Sequence, residues 1–263
     1  MTPSRAEPAR HPWVAFRTLV RKEIHRFARI WVQTLIPPAI TMGLYFVIFG
    51  NLIGSRVGEM GGLPYMQYIA PGLIMMSVIT NAYSNVVSSL FSSKFQRFIE
   101  EILVAPMGDA MIIGGYVVGG ICRGVLVGAV VSVVALFFTD LRPVHPVLTL
   151  LVVVLTATLF SLAGYINALF ARKFDDISIV PTFILTPLTY LGGVFYSIDL
   201  LPPFWRELSQ ANPVFYMVNA FRHAVLGRSD VDIGLALSVI AAFIVGLSVA
   251  CLGLMRRGTG LRT

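Results

Sequence analysis

Charge is scarce in this sequence, and negative charge is scarcer still: 13 Asp and Glu stand against 20 Lys and Arg, and charged residues make up 13% of the chain. A soluble domain usually carries about 25% charge, so these residues cannot furnish an ordinary water-exposed surface. A mean hydropathy of +0.80 excludes it from the other direction. Cysteine is nearly missing; Cys122 and Cys251 both fall in apolar runs, which excludes a disulfide framework or thiolate cluster. His11, His25, His145 and His223 lack metal-ligand spacing, and no metal site is expected. Lys22, Lys94 and Lys173 follow Arg21, Ser93 and Arg172, so no GxxxxGK(S/T) phosphate loop exists and this chain hydrolyses no nucleotide by that route. Neither HExxH nor GxSxG occurs. Asp175 and Asp176 are the only paired aspartates; beside Arg172 and Lys173 they read as a solvated cluster rather than a metal or proton site. No Ser-, Gly- or Pro-rich linker marks a second domain.

What is present is a series of long uncharged runs. A helix needs about 20 mostly apolar residues to cross a bilayer, and six stretches qualify: 35 to 53, 65 to 92, 111 to 138, 146 to 170, 177 to 197 and 233 to 255. The fold class expected is therefore an all-α membrane protein. No small-residue cleavage motif follows the first run, so that span is expected to remain in the mature protein. Pro37 and Pro38 suit a helix start, whereas Pro181 and Pro187 predict a kinked or interrupted fifth span. Ahead of the first span, Trp13, Phe16, Val20, Ile24, Phe27 and Trp31 recur at steps of three and four, with Arg17, Arg21, Lys22, Arg26 and Arg29 mostly on other faces. That pattern predicts an amphipathic helix over 12 to 31 lying on the membrane or packed on the bundle.

Between the last two spans, 199 to 226 contains two apolar halves too short to cross, broken at Asn212 and Pro213. A re-entrant helical hairpin fits, with an aromatic-rich interfacial loop as the alternative.

The net charge of +7 raises nucleic acid as a partner, but the Lys and Arg residues flank apolar runs instead of forming one polar face. Membrane lipids are the expected surface, and no nucleic acid. Their distribution orients the chain. Arg5, Arg10, Arg17, Arg21, Lys22, Arg26 and Arg29 precede the first span, Lys94 and Arg97 follow the second, Arg172 and Lys173 the fourth, and Arg256, Arg257 and Arg262 the last. The other connections hold only Arg56, Arg142, Arg206, Arg222 and Arg228. Positive charge stays inside, which predicts cytoplasmic termini and cytoplasmic loops at 93 to 110 and 171 to 176.

Polar residues inside the runs are the candidates for function. The second span carries a stripe of Ser77, Asn81, Ser84, Ser88 and Ser92, with Asn85 beside it, which should face protein or a cavity. Arg123 lies near the middle of the third span, where a lone charge costs at least about 2.5 kcal/mol. It needs a structural partner, an anionic substrate or a headgroup. Gly120, Gly124 and Gly128 continue the same helix at four-residue steps, a smooth face for close packing. The segment KFQRFIEEILVAPMGD, 94 to 109, predicts a short amphipathic helix ended by Pro106. It either docks on a soluble partner or merely reverses the chain.

Long segments resemble the membrane permeases of the ABC-2 type, and among them the YadH-like bacterial inner-membrane permeases: IWVQTLIPP ending at 38, YFVIFGNLIGSR at 45 to 56, PGLIMMSVITNAY at 71 to 83, KFQRFIEEILVAP at 94 to 106, FDDISIVPTFILTPLTYLGGVFYS at 174 to 197, and LPPFW with NP further on. The resemblance implies the transmembrane half of an ATP-driven exporter in the bacterial inner membrane, two permease chains working with two copies of an ABC ATP-binding subunit. ATP and magnesium would sit on that partner, with no cofactor on this chain. It also implies that Gln96, Arg97, Phe98, Ile99, Glu100, Glu101, Ile102, Leu103 and Ala105 form a coupling helix seated in the ATPase. The hairpin with Asn212, Pro213 and Arg222 would face the periplasm. The cargo expected is amphipathic, lipid-linked or drug-like, with Asn81, Asn85 and Arg123 as path residues. An ion-coupled secondary transporter would need intramembrane carboxylates or inverted repeats, which are not evident, and a transferase acting on lipid-linked substrates would have only Asp175, Asp176, Glu100 and Glu101 to use.

Overall fold

A computed structural model describes residues 12–260. Arg5, Arg10 and Arg262 of the charge pattern, and His11, lie outside the described residues. Among the described residues the chain is helical almost throughout, and the one sheet is a two-stranded antiparallel ribbon, Glu59–Met60 with Leu63–Pro64. In order the helices are α1 (Pro12–Arg29), α2 (Trp31–Val57), α3 (Tyr65–Phe95), α4 (Phe98–Val104), α5 (Asp109–Ala135), α6 (Pro146–Phe170), α7 (Asp176–Leu191), α8 (Pro203–Gln210), α9 (Pro213–Leu226) and α10 (Ile233–Arg256).

Five of these, α2, α3, α5, α6 and α10, are long and apolar enough to cross a membrane. α7 is apolar but shorter. It begins where the fifth span was expected and stops at Leu191 rather than 197. Gly192 and Gly193 end it, Gly193 with φ of 71° in the left-handed region that favours glycine. The following segment then presses against α3, where a Cβ on Gly72 would lie 2.7 Å from the Val194 carbonyl oxygen. Inside α7 a π-helical turn, Pro181–Leu185, interrupts the helix at the expected proline. In α2 the two prolines sit within the helix, not at its start, and a longer π-helical stretch, Phe46–Ile53, follows. The α-helix is extended upstream to Trp31, so Pro37 and Pro38 leave the Gln33 and Thr34 carbonyls without their usual donors.

The core is built on α3, which is buried over most of its length against α6 and α5. Small residues make that approach possible. The Gly120, Gly124 and Gly128 face packs as expected: a Cβ on Gly124 would meet Ala157 and Ala82 at 3.2 Å, and one on Gly128 would meet Val78 at 2.7 Å. Gly164 of α6 lies so close to α3 that a Cβ would stand 2.6 Å from the Tyr83 carbonyl oxygen. α2 and α10 remain largely uncovered, with Ile40, Leu44 and Leu52 on one and Leu235, Phe243, Val245 and Val249 on the other facing outward. In a bilayer such faces meet lipid or another chain, which asks no packing partner from this protein.

Replacing Gly164 by Val should therefore destabilise the bundle by about 1–3 kcal/mol or more, since backbone cannot yield as a side chain does. Gly253→Ala, with nothing within 4 Å of the new methyl, should leave it unchanged. Thermal unfolding of the two variants in detergent, followed by the monodisperse fraction on a sizing column, checks the contrast.

Candidate functional site

α1 does not simply rest on the bundle. The face it buries is Leu19, Glu23 and Phe27, while Trp13, Val14, Ile24 and the neighbouring Trp31 are exposed. A second pair of glycines on α5 receives it: a Cβ on Gly119 would lie 2.7 Å from the Glu23 Cβ, and one on Gly115 would run into Leu19. Of the expected stripe, Trp13, Ile24 and Trp31 thus face outward and Phe16 and Val20 are half-buried, while Phe27 belongs to the inner face that holds the helix.

Glu23 is 0% exposed. An isolated buried carboxylate is too costly to keep, so it must be paired and hydrogen-bonded. Its Oε1 accepts from Ser89 Oγ at 2.8 Å and lies 3.6 Å from Lys22 Nζ; its Oε2 lies 3.6 Å from Arg26 Nε. Arg26 Nη2 in turn donates to both the backbone oxygen and the side-chain oxygen of Asn85, at 2.9 and 2.8 Å. Farther along, Arg123 Nη2 donates to Asn81 Oδ1 at 3.3 Å. Tyr116 and Lys22 both donate to Ser93 Oγ. The result is a polar seam joining α1, α3 and α5. Asn85 lies ten residues before the end of α3 and Asn81 fourteen, which at about 1.5 Å per residue is roughly 15 and 21 Å from that end.

The sequence singled out Asn81, Asn85 and Arg123, and the structure brings all three to this seam. It did not single out Glu23. The signal was there: Leu19, Glu23 and Phe27 follow one another at four-residue steps, an apolar stripe with an acid in its middle.

α3 is open on one line only. Thr80 is exposed and Ser84, Ser88 and Ser92 are half-buried, whereas Ser77, Asn81 and Asn85 are buried within the bundle. Of the expected serine stripe, the three members nearer the α4 end therefore keep an open polar face. At that end Lys94 is buried and donates to the carbonyls of Ala168, Leu169 and Ala171 at 2.7, 2.6 and 3.3 Å, capping the end of α6.

α4 follows directly. Its helix begins at Phe98, because Gln96 closes α3 and Arg97 takes a left-handed φ of 63°, the one non-glycine residue with positive φ among the described residues. Ile99 is buried and Ile102 and Ala105 half-buried, so they seat α4 on the bundle. Phe98, Glu100, Glu101, Leu103 and Val104 face outward, Val104 being 86% exposed. Asp176 Oδ2 accepts from the backbone of Arg172 and Lys173, an exposed turn cap.

At the opposite end of α3 stands a second buried cation. Arg222, 1% exposed, lies over the Tyr68 ring at 4.0 Å and donates to the Gly193 carbonyl at 2.7 Å and to Asn219 Oδ1 at 3.2 Å. Asp230 Oδ2 is 3.9 Å away and accepts from Tyr68 at 3.2 Å. Arg222 thus ties α9 to α3 and to the glycine turn after α7. Asn212 accepts from Val214 N at 2.9 Å, capping α9, and Nδ2 donates to the Leu188 carbonyl at 2.6 Å; Pro213 is the first residue of the helix. The expected two-helix segment is present, with α9 buried and α8 exposed.

Residues 14–226 match the family described as ABC-2 type transporter. The chain belongs to that family. It is also 60% identical, over 95% of its length and 98% of the relative's, to the inner membrane transport permease YadH of Escherichia coli strain K12. The nodulation protein J of Rhizobium leguminosarum bv. viciae is 23% identical over 81% of this chain and 83% of the relative. Membership of this family implies pairing with an ATP-binding subunit, and α4 and the Glu23 seam both lie within the matched region.

Breaking the seam should be costly. Glu23→Ala leaves Arg26 and Lys22 facing a buried vacancy, and loss of one partner of a buried pair costs about 3–5 kcal/mol. Removing both charges in Glu23→Gln with Arg26→Met should recover part of that loss, so thermal unfolding of the single and double variants should reveal a coupling above roughly 1 kcal/mol.

Proposed function

We propose that this chain is the membrane subunit of an ATP-driven exporter of the bacterial inner membrane, working as a pair of copies with two ATP-binding subunits that hold ATP and magnesium. The observation that carries the reading is α4. A seven-residue helix that leaves Phe98, Leu103 and Val104 exposed beside Glu100 and Glu101 is poorly suited to water or to lipid alone, whereas a cleft on a soluble partner satisfies both faces. Because α4 is joined to α3 through two residues and to α5 through four, a displacement of the partner reaches both helices with little slack.

In this reading α7 and the segment to Ser197 together form the sixth crossing, both termini are cytoplasmic, and the α8–α9 hairpin enters from the periplasm. The basic loops around Lys94 and Arg172 support that orientation. The open line of Thr80, Ser84, Ser88 and Ser92 on α3 supports a path shared with the second copy, since hydroxyls gain nothing from facing lipid. The cargo would be amphipathic or lipid-linked.

One observation favours an ion-coupled transporter instead: Glu23 is a carboxylate buried within the bundle, the type of group such a mechanism uses. Its two cationic neighbours argue for a structural pair.

Reconstituted permease with its cognate ATPase tests the reading. Val104→Asp together with Glu100→Arg and Glu101→Arg should reduce permease-dependent ATP hydrolysis at least tenfold without shifting the permease's thermal midpoint. Ion-driven uptake by the permease alone would reject it. Single cysteines placed between 94 and 109 should react with membrane-impermeant reagents only from the cytoplasmic side.

A further inference from the structure

Beside the seam, a lateral cleft of about 340 Å³ opens between α2 and α3; Arg123 lines it with the buried Ser77 and Asn81, and the exposed Thr80 stands at its mouth. The other wall is Gln33, Thr34, Pro37, Pro38, Thr41, Met42 and Tyr45, with Met76 beside Ser77, so a mainly apolar cleft at mid-bundle depth carries several polar groups and one cation.

Three features give this cleft a sign. Arg123 sits near the centre of α5, where an unmatched cation is costly, and it makes a single long hydrogen bond, to Asn81. Its Nε is buried with no partner, as are Arg26 Nε and Asn85 Nδ2; all three are donors, and the one unpartnered acceptor nearby, Glu23 Oε2, already faces Arg26. Arg26 and Arg123 stand against the single carboxylate of Glu23, an excess of one positive charge, while the Lys22 side chain is 45% exposed and lies toward Ser93. The prolines add two freed carbonyl acceptors on the opposite wall, from Gln33 and Thr34, suited to hydroxyls flanking an anion.

We propose that this cleft binds the anionic headgroup, phosphate or carboxylate, of a membrane-resident amphiphile that enters sideways between α2 and α3, with Arg123 as its principal contact. The apolar tail would lie along the exposed flank of α2, where Ile36, Ile40 and Leu44 face outward. A lipid-borne anion has the means to reach this depth; a free anion would have to be stripped of water to do so. The proposal deepens the exporter reading by naming a charge and a route for its cargo, and it is tested without the ATPase, so each can fail alone.

The test is equilibrium binding of short-chain phosphatidic acid, phosphatidylcholine and inorganic phosphate to the purified full-length permease in uncharged detergent. Phosphatidic acid should bind at least tenfold more tightly than phosphatidylcholine, and inorganic phosphate should not compete at millimolar concentration. Arg123→Gln should abolish the preference and Arg123→Lys should retain most of it. Thr80→Phe, which narrows the cleft mouth without altering charge, should weaken phosphatidic acid binding at least fivefold, and it carries the test if Arg123→Gln does not fold. Equal affinity for the two lipids, a preference that survives Arg123→Gln, phosphatidic acid affinity unchanged by Thr80→Phe, or displacement by inorganic phosphate would overturn the proposal.

Discussion

The close approach of α3, α5 and α6 through glycine is the contact on which the rest of the structure depends. In a bilayer no hydrophobic force draws helices together, since lipid tails are as apolar as leucine; association relies on dispersion at short range and on polar bonds between helices. Gly120, Gly124, Gly128 and Gly164 remove the side chains that would hold the backbones apart. Once α3 is enclosed on those sides, its serines, asparagines and lysine have few places to go. They bond to neighbouring helices, as Lys94 and Ser89 do, or they line the one face left open.

Two cations meet the enclosed α3 at different depths, Arg222 near its start at Tyr68 and Arg123 near its middle at Asn81. Each is met by a different device. Arg222 is surrounded by carbonyl and amide oxygens, an aromatic face and a nearby carboxylate, so its donors are spent on tying three segments together. Arg123 has one weak bond and a cleft. The two arginines differ both in burial, Arg222 being fully buried and Arg123 half-buried, and in how many of their donors are satisfied.

α1 links the seam to the outside of the bundle. Its inner stripe delivers Glu23 to a position where Gly119 leaves room, and its outer face, with Trp13 and Ile24, remains free for the membrane interface. A movement of α4 that displaced α5 would therefore also shift Glu23 and its partners. The short connections on both sides of α4 and the buried Ile99 make that transmission mechanically direct.

Much of this was legible along the chain. Uncharged runs are set by local composition, so the long helices, the amphipathic α1, the helix pair broken at Asn212 and Pro213 and the presence of a lone cation on α5, Arg123, could all be read without a fold. Helix ends were less so: α7 stops at Leu191 because Gly192 and Gly193 turn the chain against α3, a tertiary contact that hydropathy does not register. Gln96 and Arg97 likewise became a corner instead of a first helical turn. What only the tertiary structure decided was which polar groups meet. Glu23 and Ser89, or Lys94 and Ala168, are far apart in sequence, and their pairing follows from where glycine lets two backbones touch. Composition alone determined that this chain belongs in lipid; the three-dimensional packing determined which of its few charges are neutralised there and which one is left facing an open cleft.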